Sequence, residues 1–210
     1  MKFRDAFQEN YFTLSNLLSV LRVLLVPPFL YLGHGFSQTP ENIDLLYGLL
    51  AIVFVAILSD FLDGFLARRW NQVTMVGQYL DPVCDKIVTL AALTLLLVDF
   101  DFPIWIYAFY WIREIAGVWA GSYLYFKRDV QGKPNIWGKM GVFMVGLCTT
   151  WYLLNPWLKQ HLQAEHWLTH PVVSAYALAV VLCLGIIAYT VSYGKLVFRP
   201  HGKNQKTPHS

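Results

Sequence analysis

Four carboxylates stand at helical spacing inside apolar runs of this chain. Asp60 and Asp63, with Gly64 and Ala67, fall at i, i+3, i+4 and i+7, so one helix would carry them on a single face. Asp81 and Asp85 fall at i and i+4 and share a face of the next helix. Packed as a hairpin, the two helices would make all four acids converge. In a low-dielectric setting their repulsion is prohibitive unless a cation neutralises it. Oxygen-only ligands favour a hard ion such as Mg²⁺, with Mn²⁺ or Ca²⁺ as alternatives. Capping a helix needs one or two acids, not four facing one another, which argues against a purely structural role.

The elements that must position these acids are apolar. The 210 residues are 56% hydrophobic and 14% charged, whereas a soluble domain carries about a quarter charged residues. The expected fold class is therefore an all-α integral membrane protein, one domain over residues 1–210. Six transmembrane helices are predicted over about residues 14–32, 45–66, 79–98, 102–126, 136–154 and 172–197, each matching the thickness of a bilayer. Residues 1–12, with Phe3, Phe7 and Phe12, read as an interfacial helix, and residues 199–210 as a flexible cytoplasmic tail. Residues 33–44 and 155–171 read as polar loops; His161, His166 and His170 in the second lack the spacing of a metal motif.

Charge sets the orientation. Lys2, Arg4, Arg68, Arg69, Lys127, Arg128, Lys133, Lys195, Arg199, Lys203 and Lys206 fall on one side, and the opposite loops offer only Lys159. Both termini and the acidic loop should thus be cytoplasmic, in a multi-pass protein of the inner membrane if the source is bacterial. The net charge of +3 is too small to suggest nucleic acid. Cys84, Cys148 and Cys183 lie in apolar runs without metal or disulfide spacing and read as packing residues.

The run Asp60-x2-Asp63-Gly64-x2-Ala67-Arg68-x8-Gly77-x3-Asp81-x3-Asp85 resembles, position for position, the signature of the CDP-alcohol phosphotransferases. That resemblance implies attack by an alcohol on the β-phosphorus of a CDP-linked lipid, with CMP leaving. It implies two Mg²⁺ ions (Mn²⁺ as a substitute) held by Asp60, Asp63, Asp81 and Asp85, with Asp85 also accepting the hydroxyl proton. Asn16, Leu17, Leu18 and Ser19 resemble the first-helix turn that meets the cytidine nucleotide, although Ser15 stands where the family has Pro. Gly64, Ala67, Arg68, Thr74 and Gly77 would complete the CDP-lipid site, Gly64 by leaving room for close approach. A homodimer is also implied.

Within the family the flanks Leu80-Asp81-Pro82, Asp85-Lys86, Arg113-Glu114 and Trp137-Gly138-Lys139 look most like bacterial phosphatidylglycerophosphate synthases. The partners would then be CDP-diacylglycerol, glycerol 3-phosphate and CMP, with Arg113 and Lys139 holding the acceptor phosphate. Two departures stand against that branch: Gly121 and Gly141 occupy positions where it carries basic residues. Cardiolipin synthase-type use of phosphatidylglycerol and phosphatidylinositol-phosphate synthesis remain alternatives. A non-catalytic cation carrier is the competing class, but ion carriage needs no Gly, Ala and Arg at fixed offsets from the acids.

Overall fold

The computed structural model describes residues 13–69, 75–128, 136–162 and 170–197. The expected interfacial helix and tail lie outside those residues. Everything regular within them is helical: α1 (Leu14–Leu24), α2 (Val26–Gln38), α3 (Ile43–Arg69), α4 (Met75–Asp99), α5 (Ile104–Arg128), α6 (Ile136–Leu162) and α7 (Val172–Val197). Two described stretches, Asn16–Gln38 and Ile43–Asp60, are long and apolar enough to cross a membrane, and Val172–Ala188 is a shorter apolar helix.

The first apolar stretch is two helices rather than one. Thr13 caps α1, its hydroxyl accepting from the Asn16 N–H at 3.3 Å. Pro27 and Pro28 then occupy the opening positions of α2, where a missing N–H is tolerated. Further along, α2 runs through residues 33–38, expected to be a loop. The reason is an apolar stripe that the polar composition concealed. Phe29, Gly33 and Phe36 are buried together at i, i+4 and i+7. A Cβ at Gly33 would stand 2.3 Å from Leu95 Cδ2, so a larger residue there would have to push Leu95 aside for α2 to approach α4 this closely.

Helix α6 likewise runs past its expected end to Leu162, with Pro156 inside it. Leu153, Leu154 and Trp157 hold that extension by packing with the α2 and α3 side chains Phe29, Phe36, Leu46 and Leu49. Helix α4 begins earlier than expected, which places Pro82 within it rather than at its start. The α4–α5 turn is made by Asp101 in the left-handed region, φ 54°. That turn lets the Phe102 N–H reach back to the Leu96 carbonyl at 3.1 Å.

Helix α4 is shared by both halves of the core. Leu95 joins the cluster with α2, α3 and α6. Leu93 and Leu96 join the other, with Phe102, Ile106, Tyr110, Val145, Tyr152 and Leu178 of α5, α6 and α7. Burying such side chains stabilises by about 1.5–3 kcal/mol each in water. Here that interior is matched by an apolar exterior: Phe54, Ile57, Ile112, Trp119, Phe143 and Ile187 are all exposed.

Candidate active site

Helix α1 is inverted relative to a helix on the surface of a soluble protein. Its buried residues are Asn16, Ser19 and Arg22, at i, i+3 and i+6, whereas Leu14, Leu17, Val20, Leu21 and Leu24 are exposed. A helix buries a polar face only against other polar groups. Those groups come from α3 and α4, the two helices between which α1 packs.

The Arg22 guanidinium lies among three carboxylates. Its Nη1 donates to Asp60 Oδ1 at 2.9 Å and also to Asp85. Its Nη2 donates to Asp81 Oδ1 at 2.5 Å and to Ser19 Oγ at 3.2 Å. Ser19 in turn donates to Asp81 Oδ1 at 3.2 Å. The arginine side chain is 4% exposed, whereas Asp60, Asp81 and Asp85 are 60%, 43% and 31% exposed. The site is therefore closed beneath by α1 and open above, where a polar ligand can reach the acids.

These carboxylates fit a divalent cation. One ligand atom from each of Asp60, Asp81 and Asp85 can be chosen so that all three lie within 4.8 Å of one another. Opposed oxygens around a small hard ion stand about 4.2 Å apart, so modest side-chain rotation would close the set on one. The donor set is all oxygen, as such an ion prefers.

Other expected site residues are placed less fully. Asp63, Gly64, Ala67 and Arg68 belong to α3, Gly77 to α4 and Lys139 to α6. Their side chains lie outside what the structure describes, and Thr74 falls wholly outside the described residues. Leu17 lies on the exposed face of α1 and Leu18 is half-buried, unlike their neighbours Asn16 and Ser19.

The acceptor candidate Arg113 is already engaged. Its Nη1 meets Glu114 Oε1 at 2.5 Å, and Glu114 Oε2 meets Lys86 Nζ at 3.3 Å. This chain of charges links α5 to the α4 residue that follows Asp85. The guanidinium also stands 3.7 Å from where a Cβ on Gly141 would be. A basic side chain at that position would start beside Arg113 and meet like charge, so Gly141 and the placement of Arg113 are consistent with each other.

Arg22, which the sequence marks as an arginine inside an apolar span that must face a polar cavity or reach the interface, was not among the expected site residues. The signal available for it was the polar triplet Asn16, Ser19 and Arg22 on one face of an apolar helix.

The sequence profile of CDP-alcohol phosphatidyltransferases matches residues 12–192. Among curated proteins, the chain is similar to the CDP-diacylglycerol–glycerol-3-phosphate 3-phosphatidyltransferase of Haemophilus influenzae, 39% identical over 95 residues, 45% of this chain and 48% of that one. The enzyme of the same name from Escherichia coli K12 is 40% identical over 98 residues, again 45% and 48% of the two chains. The one from Blochmanniella floridana is 35% identical over 95 residues, 45% and 46% of the chains. The match thus spans about half the length of these relatives.

Proposed function

Because the chain belongs to the CDP-alcohol phosphatidyltransferase family, we propose that it transfers a phosphatidyl group from CDP-diacylglycerol to glycerol 3-phosphate, releasing CMP. The observation that carries this reading is the convergence of Asp60, Asp81 and Asp85 on the buried polar face of α1. The acceptor assignment draws on the relatives, whose names specify glycerol 3-phosphate.

In the proposed reaction an acceptor oxygen forms a bond to the β-phosphorus, the bond from that phosphorus to CMP breaks, and CMP takes the electron pair. Asp85 receives the hydroxyl proton. Asp60, Asp63, Asp81 and Asp85 would hold two divalent ions, Mg²⁺ or Mn²⁺. Bound there, such ions supply charge neutralisation for the pyrophosphate and the leaving oxygen. Asn16 and Ser19 would orient the nucleotide, with Gly64, Ala67, Arg68, Thr74 and Gly77 lining its path. Leu17, on the exposed side of α1, is left to meet lipid. Arg113 and Lys139 would orient the acceptor phosphate, Arg113 exchanging Glu114 for it.

The chain would act as a multi-pass protein of the bacterial inner membrane, in one domain with six crossings and as a homodimer. The excess of basic residues beside the acidic loop supports a cytoplasmic site. A cysteine placed at Asn71 should then react with impermeant reagent from the cytoplasmic side, and one at Gln163 from the other; the reverse pattern would refute this orientation.

The chemistry is tested with purified protein, CDP-diacylglycerol and Mg²⁺, offered glycerol 3-phosphate, phosphatidylglycerol or inositol phosphate in parallel. CMP release and phosphatidylglycerophosphate are expected with the first acceptor alone. Product from phosphatidylglycerol alone would transfer the assignment to the cardiolipin synthase branch, and CMP from none would end the enzyme reading.

A further inference from the structure

We propose that Arg22 is the internal counter-cation of the carboxylate cluster, held there before a divalent ion binds and displaced when one does. The inference rests on reading Asp60, Asp81 and Asp85 as ligands of that ion. The guanidinium engages all three of the described carboxylates that can gather around one ion. Arg22 holds the Oδ1 atom of each acid, so an ion drawn to those oxygens must displace it, and an ion taking the Oδ2 atoms would still sit beside a like charge that only departure of the guanidinium relieves.

The geometry suits an exchange rather than a permanent pair. Arginine can bridge several carboxylates because its donors form a planar fork, and here each terminal nitrogen serves two acceptors. Among the described side chains at the cluster, three carboxylates face one guanidinium, an excess of two negative charges. That excess keeps the acids attractive to a divalent ion while Arg22 prevents their mutual repulsion from opening the site. The carboxylates are the exposed partners and the arginine is the buried one. An ion arriving from solvent therefore meets the acids first, and Ser19, one turn back on α1, stays as an alternative acceptor for the guanidinium.

The inference separates from a purely structural salt bridge by the sign of one measurement. A structural arginine, once removed, would leave a looser site that binds metal more weakly. A competing arginine, once removed, leaves a site that binds metal more tightly.

The test titrates Mn²⁺ into full-length protein in detergent, without substrate, and follows free Mn²⁺ by electron paramagnetic resonance. Arg22→Gln should bind Mn²⁺ tenfold or more tightly than wild type. Its melting temperature in chelator should fall below that of wild type, and Mn²⁺ should raise it by more. Equal or weaker Mn²⁺ binding by folded Arg22→Gln would overturn the proposal. Should that variant not fold, Arg22→Lys carries the test. A single ammonium cannot span the three acids, so its Mn²⁺ affinity should rise about threefold, and an unchanged or lower affinity overturns the proposal. Failure of wild type to release CMP would remove the functional reading and leave the Mn²⁺ comparison intact.

Discussion

Helix α4 carries acids at both ends, and the two ends solve the problem of a carboxylate beside an apolar core differently. At one end Asp81 and Asp85 join Asp60 around a single guanidinium. At the other, Asp99 is 8% exposed and accepts from His34 Nδ1 at 2.7 Å and from Ser37 Oγ at 3.2 Å. Asp99 and Ser37 also line a cavity of about 290 Å³ with Tyr152, Asn155, Lys159 and His170. Among the described side chains, the first end sets three carboxylates around one guanidinium and leaves them open to solvent. The second gives one buried acid its own donors. Surplus charge held in place at a structural cost marks an end that has work to do; a matched acid marks an end that ties helices together.

Substitutions at the two ends should therefore fail in different currencies. The largest effect is expected for Asp85→Asn, which keeps the volume and removes both a charge and a proton acceptor. CMP release should drop on the order of a thousandfold or more with the helical circular dichroism unchanged. Undiminished turnover would erase the contrast. Arg113→Ala should come next, raising the apparent Michaelis constant for glycerol 3-phosphate by roughly ten- to a hundredfold, about 1.5–3 kcal/mol, while that for CDP-diacylglycerol holds. A parallel rise for both substrates would assign Arg113 to the Glu114–Lys86 bridge alone.

At the other end the effect should appear in stability. Gly33→Ala drives a methyl group into Leu95, itself 3% exposed, and should cost about 1–3 kcal/mol by thermal or denaturant unfolding, with kcat retained. Asp99→Asn should have the smallest effect, about 1 kcal/mol or less, because an amide oxygen still accepts from Ser37 and because His34 is itself 65% exposed. A loss of activity from Asp99→Asn greater than its loss of stability would give the far end a functional part and break the comparison.

The sequence made the acidic end legible because carboxylates within apolar runs are costly and because their offsets repeat those of a helix face. Helix α7 was legible throughout: it opens on the apolar helix Val172–Ala188 and ends at Val197, as expected. Residues 33–38 and 155–162 were not, since their Ser, His, Gln, Asn and Lys suggest a loop, while their helicity depends on Phe36 and Trp157 finding distant partners. The engagement of Arg22 was out of reach for the same reason. Its acids lie 38, 59 and 63 residues along the chain, and nothing local to Arg22 says that α1 packs between the helices that carry them.

The inverted polarity of α1 bears on how the chain enters a bilayer. When α1 leaves the ribosome, Asp60, Asp81 and Asp85 have not yet been made, so Asn16, Ser19 and Arg22 have no partners on α3 and α4. An arginine at the centre of a membrane helix disfavours insertion by about 2.5–3.5 kcal/mol, whereas each Leu or Val favours it by only about 0.3–0.6 kcal/mol. The stretch from Asn16 to Gln38 is apolar enough to be held at the membrane, yet its polar face finds its counterparts only after α4 is synthesised. The α1–α3–α4 cluster can therefore be completed only once α4 has been made, and of the three described acids a chain truncated before Asp81 would carry Asp60 alone.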